Sequence, residues 1–252
     1  MDRLTLGKGR GLAGGAWVVA VLTLALAVVA LGSLAQAAGI VEQVRRPDGK
    51  TLMITGRNQL QAEAIQAYYH LMIVYTPDFG QPVTVLGGPT TVVAVSGGVV
   101  SAIKTDVPPG QVPLAIPADG YLIVGIGKGW EFLKALKVGD KVDIIEREAV
   151  TPDPLPTAVV AETGEVIPIT NWNTGRGPNE LIVYTPDWGN CTYTNIWGAE
   201  ALVQNGEVVY VRQIKENPPL DIPEGAIVIS GHDQAGFWII ANLIPGSKVS
   251  LE

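Results

Sequence analysis

Short apolar runs, cut by Gly, Pro, Asn and Asp, dominate the chain after residue 70. "LMIVYT", Leu71 to Thr76, and "LIVYT", Leu181 to Thr185, are runs of β-branched and aromatic residues. Each is stopped by Pro-Asp-aromatic-Gly, which predicts a strand ending in a turn. "TTVVAVSGGVVSAI", Thr90 to Ile103, predicts a hairpin around Gly97-Gly98. "EALVQNGEVVYVRQI", Glu200 to Ile214, predicts another around Asn205-Gly206, a pair suited to a type I′ turn. "DGYLIVGIG" from Asp119 and "GAIVISG" from Gly225 predict further strands, each followed by a short amphipathic helix. These are "WEFLKALK" from Trp130 and "AGFWIIANL" from Ala235. Trp130, Leu133 and Leu136 fall on one face at helical spacing. A Gly-Asp or Gly-Ser turn and a last strand close each series.

The pattern is written twice. "IVYTPD" begins at Ile73 and again at Ile182, an offset of 109. "IPADGYLIVGIG" from Ile116 matches "IPEGAIVISGH" from Ile222 at 106, and "GDKVDI" from Gly139 matches "GSKVSL" from Gly246 at 107. Upstream, "GKTLMIT" from Gly49 matches "GEVIPIT" from Gly164 at 115. Four blocks in one order mean one structural unit in two copies. The larger first offset gives copy one about six extra residues, within the helix-like "QLQAEAIQAYYHL". Copy one is expected over 49–148, a stiff Pro-rich linker over 149–163 and copy two over 164–252. The expected fold is mainly β. It comprises two tandem small β-barrel or β-sandwich domains, each with one short helix, after an N-terminal hydrophobic signal or anchor helix. Barrel closure would remove exposed strand edges.

Composition sharpens this picture at two points. With 47% hydrophobic and 16% charged residues, 30 Gly and 18 Pro, the chain suits a turn-rich globular β protein rather than a disordered one. A net charge of −7 excludes nucleic acid as the expected partner, because phosphates demand a basic surface. Residues 1–37 are a separate object. Arg3, Lys8 and Arg10 precede the apolar "AWVVAVLTLALAVVAL", Ala16 to Leu31, and then Ala35-Gln36-Ala37. This reads as a secretory signal cleaved before Ala38, or as an uncleaved anchor; either sends the rest of the chain outside. Membrane contact is expected only through this segment if it is uncleaved, and the expected location is extracellular or in the cell envelope. The single cysteine, Cys191, permits no internal disulfide.

Candidate chemistry is sparse. "VGIGKGWEFL", Val124 to Leu133, sets a Gly-rich turn with Lys128 before a helix, a geometry that can bind anions. Its spacing matches neither the P-loop nor the dinucleotide fingerprint, so a tight strand-to-helix turn is expected. In "SGHD", Ser230 to Asp233, three triad residue types are adjacent, whereas a triad converges from separate elements. His70 and His232 are the only histidines, so no His-rich metal site, and no cofactor, is expected. Asp78 and Asp187 of the twin "YTPD" turns are expected as local turn caps. The candidate binding residues are Tyr193, Asn195, Trp197 and Glu200 of "YTNIWGAE", joined by His232. Aromatic faces with amide and carboxylate partners suit sugar rings and their hydroxyls. Copy one, with "VTVLGGPT" in that place, lacks all four.

Copy two, from "NWNTGRGPNELIVYTPDWG" through "YTNIWGAEALVQNGEVV" and "IPEGAIVISGH" to "IPGSKVSL", resembles a known module. It is similar to the N-terminal accessory region that precedes the catalytic domain in bacterial phosphodiester glycosidase-like cell-surface proteins. A run of the form T-N-x-x-G-x-E stands here as Thr194, Asn195, Gly198 and Glu200. The resemblance covers about Asn171 to Leu251, and copy one more faintly. No catalytic residue is carried over, because the matching region is the accessory one. It implies an exported, non-catalytic tandem module that binds or scaffolds at the cell envelope, with glycan or another surface protein as partner. The alternatives are a hydrolase acting on envelope glycans, an accessory subunit of a phosphodiester glycosidase, and a structural spacer.

Processing at the Ala37–Ala38 bond is the expected fate of the N-terminus. Mass spectrometry of the mature chain should find Ala38 first; an intact Met1 in the membrane fraction supports the anchor instead.

Overall fold

The computed structural model describes residues 39–60, 62, 71–174, 181–189, 198–214, 220–232 and 234–252. The duplication in the sequence appears as a duplication of topology. Repeat one contains β1 (Ile40–Arg45), β2 (Thr51–Met53), β3 (Gly56–Arg57), β4 (Leu71–Tyr75), β5 (Thr84–Val85), β6 (Thr90–Ser96), β7 (Val99–Lys104), β8 (Gly110–Gln111), β9 (Gly120–Ile126), helix α1 (Lys128–Lys134) and β10 (Asp143–Glu148). Repeat two contains β11 (Ala158–Ala161), β12 (Val166–Pro168), β13 (Asn171–Trp172), β14 (Leu181–Tyr184), β15 (Gly198–Gln204), β16 (Glu207–Ile214), β17 (Ala226–Gly231), α2 (Gln234–Ala241) and β18 (Val249–Leu251). The five-stranded sheet β3-β4-β9-β6-β7 has its counterpart in β13-β14-β17-β15-β16. The three-stranded sheet β10-β1-β2 has its counterpart in β18-β11-β12. A two-stranded ribbon, β5-β8, occurs in repeat one.

The expected closed barrels are not found: every sheet among the described residues is open. The reason is written in the strands. A barrel strand alternates inward and outward residues, but in β4, β6 and β9 nearly every position is buried. Runs such as "LMIVY" and "YLIVGI" are apolar on both faces and require a layer on each side. In repeat one α1 covers one face through Phe132 and Leu133. On the other face Ile73, Val92 and Val124 pack with Val85 of the ribbon and with Val112 just after it. The free end of each hairpin is covered by the segment after the helix, through the bridges Val99–Lys141 and Glu207–Lys248. This shields part of an edge without closure.

Both hairpins turn as the sequence predicts. Gly97 and Gly98 have φ of 55° and 76°, and Asn205 and Gly206 have 54° and 75°, the left-handed pair of a type I′ turn. The Gly-rich joints serve close packing. A methyl group on Gly125 would lie 2.4 Å from the Gly129 carbonyl oxygen, and one on Gly231 would lie 2.2 Å from that of Gly236. Each last sheet strand therefore crosses its helix backbone to backbone. The helix face seated on the sheet consists of Gly129, Phe132 and Leu133, followed by Leu136. Trp130 sits at its margin, with the Lys134 ammonium 3.5 Å from its ring centre.

The two repeats share one compact unit, Ile40–Glu252. β1 lies ahead of the first matched block, and β11 lies inside the stretch read as linker, so each repeat begins with its own first strand. One buried cluster runs from Val44, Leu52 and Met72 of repeat one to Ile182, Tyr184, Trp188 and Val228 of repeat two. The seam is the second "YTPD" turn. Gln43 Nε2 donates to the carbonyls of Pro186 at 2.8 Å and Asp187 at 3.0 Å. The Met53 amide donates to the Trp188 carbonyl at 2.8 Å. The Asp187 carboxylate, almost fully buried, accepts from the amides of Val150 and Thr151 at 2.6–3.0 Å and from the Thr151 hydroxyl. Asp187 is therefore more than a local cap: it holds the chain that leads out of repeat one. Asp78, its counterpart, is exposed and accepts from Thr76.

Gly189 marks how tight this seam is. It has φ of 138°, and a methyl group there would lie 2.2 Å from the Thr51 carbonyl oxygen. Gly189→Ala should cost roughly 2–4 kcal/mol, from strain plus the displaced strand. Gly80→Ala in the exposed twin turn, at φ of 64° with no atom nearer than 3.8 Å, should cost only about 1 kcal/mol. Denaturant titration of both variants measures the difference, and equal losses would mean that the second turn is not the seam. Because the core is continuous, calorimetry of the chain should record one cooperative unfolding transition; two resolved transitions would mean that the repeats melt independently.

Candidate functional site

Three neighbouring strands of repeat two carry polar side chains into a buried layer. On the β17–β15–β16 part of the sheet, Glu200 lies opposite Ser230 on one side and opposite Arg212 on the other. The Arg212 Nε and Nη2 donate to one Glu200 oxygen, Oε2, at 3.0 and 2.7 Å. The Glu200 side chain is wholly buried and that of Arg212 is 11% exposed. Two residues after Ser230, His232 turns to the same face, where its Nε2 lies 2.8 Å from the Ser230 hydroxyl. Ser230 and His232 are both buried.

The corresponding rung of repeat one is different in chemistry. Both hairpins carry a bulge at the same place, after Ala94 and after Leu202, which sets the equivalence. Val92 occupies the place of Glu200, with Lys104 opposite it where Arg212 stands and Val124 opposite it where Ser230 stands. Ile126 then corresponds to His232. Repeat one thus fills with Val, Val and Ile the positions that repeat two fills with Glu, Ser and His. A charged pair removed from water loses several kcal/mol of solvation per ion, and hydrophobic packing of equal volume is often as stable. The same backbone needs no buried charge at this rung: repeat one has Val92 there, with the exposed Lys104 opposite. The polar set is a property of repeat two alone.

Of the residues singled out in the sequence, Glu200 and His232 come to this layer. Tyr193, Asn195 and Trp197 lie outside the described residues. Ser230 was weighed in the sequence only as part of "SGHD", and Arg212 carried no signal there: it follows Glu200 by 12 residues, and only the hairpin register places them together. Lys128, the cation of the Gly-rich turn, is buried and directed at Glu131, 3.4 Å away. Among the described residues, no three His, Cys, Asp or Glu side chains are grouped so as to hold a metal ion. Among the described residues, no helix is long and apolar enough to cross a membrane; the apolar segment Ala16 to Leu31 lies outside them.

No family model matches the sequence, and no curated protein matches it. A hypothetical protein of Synechocystis is 18% identical, with a TM-score of 0.36, over 84% of this chain and 36% of that one. A Burkholderia pseudomallei K96243 protein, named as a presumed exported protein, is 12% identical with a TM-score of 0.34, over 85% of this chain and 43% of that one. The chain thus spans well under half the length of either.

If the Glu200–Arg212 pair is held by mutual charge, removing one partner strands the other in the protein interior. Glu200→Gln should lower stability by about 3–5 kcal/mol. The double change Glu200→Val with Arg212→Met, which makes the pair apolar, should be neutral or stabilising. Chemical denaturation of the three proteins decides this. A double variant as unstable as the single one would show that the pair is required by the fold.

Proposed function

We propose that the chain is an exported, β-rich module of the cell envelope whose second repeat binds a ligand, with envelope glycan as its class. The observation that carries this reading is the exchange of a Val, Val, Ile face for a Glu, Ser, His face with a charged arginine partner, within an otherwise duplicated framework. Such an exchange costs solvation and adds hydrogen-bonding groups of the kind that recognise hydroxyls. The stretch before β15 in sequence supplies the aromatic and amide residues Tyr193, Asn195 and Trp197, which suit sugar rings. The N-terminal apolar segment and the resemblance of copy two to the accessory region of phosphodiester glycosidase-like proteins support the address and the non-catalytic role. Repeat one, with its apolar face covered by the β5-β8 ribbon, then serves as the scaffold against which repeat two is docked.

One contact favours a second reading. A serine hydroxyl 2.8 Å from an imidazole nitrogen is the nucleophile–base contact of acyl transfer. On that reading repeat two is a hydrolase that removes ester-linked groups from envelope glycans, with Ser230 as nucleophile and His232 as base.

The mature chain incubated with a glycan array and with peptidoglycan tests the first reading. Retention is expected, and Trp197→Ala should weaken it by roughly 1–3 kcal/mol, the range for a stacked aromatic, with Tm unchanged. No retention by the wild-type chain, or a collapse of Tm in the variant, removes the glycan site. Turnover of an acetyl ester that is lost in Ser230→Ala would instead establish the hydrolase.

A further inference from the structure

A second place where the repeats diverge lies between the β11–β12 turn and helix α2. The turns correspond: Arg46 and Gly49 of repeat one make the backbone bonds that Ala161 and Gly164 make in repeat two, Arg46 with Lys50 and Ala161 with Glu165. Helix positions correspond through the two crossing glycines, so that Phe132 matches Ile239.

In repeat one this gap is plugged from within. The Arg46 guanidinium lies 4.7 Å from the centre of the Phe132 ring. Its Nη1 donates to the Phe132 carbonyl at 2.9 Å, near the negative end of α1. Its Nε and Nη2 both reach the Asp48 carboxylate, which the arginine holds below its ordinary pKa. The plug is nearly closed off from water, with the Arg46 side chain 12% exposed. In repeat two Ala161 stands in place of Arg46. What remains is an open groove of about 460 Å³, lined among others by Glu162, Glu165, Trp238, Ile239 and Asn242. Trp238 is 58% exposed at its rim. Glu162 accepts from the Lys248 amide, while the Lys248 ammonium is directed away to Glu207.

We propose that this groove is a receptor for a guanidinium group, supplied by an arginine side chain of a partner protein. Repeat one shows what its own version of the gap accommodates: a planar cation between a ring, a carboxylate and the helix end. Repeat two has Thr163 and Ile239 where repeat one has Asp48 and Phe132, and its carboxylates and ring come from neighbouring positions instead. It offers two carboxylates and an exposed indole, the ring that attracts cations best, and its lining residues include no Lys or Arg. Planar, weakly hydrated guanidinium suits such a surface better than ammonium. The site is separate from the Glu200 layer and does not depend on a glycan ligand there.

Calorimetric titration with a short arginine-centred peptide tests it, with the citrulline peptide as neutral twin and a neutral chitooligosaccharide as the competing class. The arginine peptide should bind and the citrulline peptide should not. Trp238→Ala should weaken binding about two- to thirtyfold, the range of a cation–π contact. Ala161→Arg, which places a guanidinium of the chain's own in the groove, should abolish binding while Tm stays close to that of the wild type. Should that variant misfold, Glu162→Gln with Glu165→Gln provides the same test from the charge side and should also abolish binding. Equal binding of the citrulline peptide, binding of the neutral sugar alone, undiminished binding in the folded Ala161→Arg chain or in the double Gln variant, or no binding at all would each overturn the proposal. Glu200→Val with Arg212→Met should leave arginine binding unchanged, which separates this site from the glycan reading.

Discussion

The docking of the second "YTPD" turn into the first repeat is the contact on which the rest of the architecture depends. A three-stranded sheet and a five-stranded sheet of this size leave apolar area uncovered, and neither repeat closes on itself. The backbone of Trp188 and Gly189 meets the free edge of β2 at Met53 and Leu52, and the Gln43 side chain of β1 reaches the carbonyls of Pro186 and Asp187. The Asp187 carboxylate then gathers the amides of the departing chain at Val150 and Thr151. Buried amides without partners would cost about 1–3 kcal/mol each, so one carboxylate determines where repeat one ends and repeat two begins. Trp188, fully buried beside Tyr184 at 5.5 Å between ring centres, seals the same junction from the apolar side.

Duplication with a fixed frame makes the two repeats internal controls for one another. Where their side chains agree in kind, as at the crossing glycines or the left-handed hairpin pairs, the backbone geometry demands the residue. Where they disagree, the fold has no preference and something else has chosen. By that standard Asp78 and Asp187, identical in sequence, differ in role, because one faces water and the other faces a neighbouring sheet. Val92 and Glu200, different in sequence, share one place. The same comparison separates Arg46, which fills its gap, from Ala161, which leaves its gap open. Both divergences concentrate polar and aromatic groups in repeat two, whereas repeat one keeps its apolar layers and its internal arginine.

Much of the framework was legible in the residue pattern. The repeat, the strands around "IVYT", both hairpins and the helix after each last sheet strand follow from β-branched runs, from Gly-Gly and Asn-Gly pairs, and from helical spacing. These are local signals, since a strand or a type I′ turn is selected by residues within a few positions of each other. Between barrel and sandwich the residue pattern does not choose: continuous apolar strands are visible in it, but what covers each face comes from residues far away in sequence. The helical expectation for "QLQAEAIQAYYHL" falls mostly outside the described residues. Glu200, His232 and Ser230 stood out by residue type, while Arg212 did not, because only cross-strand register brings it beside Glu200.

The sequence by itself determined that one unit is used twice, that it is built of strands with one short helix, and that the chain is acidic with an apolar run from Ala16 to Leu31. Those properties depend on composition, periodicity and turn chemistry, which act over short stretches of chain. Tertiary structure alone decided that the second turn is a seam and the first a surface loop, that a glutamate and an arginine 12 positions apart form a buried pair, and that an alanine opens the gap an arginine fills. Each of these depends on which distant backbone approaches a residue and excludes water from it. Burial and partner geometry, rather than residue identity, set the energy of a charge or a carbonyl.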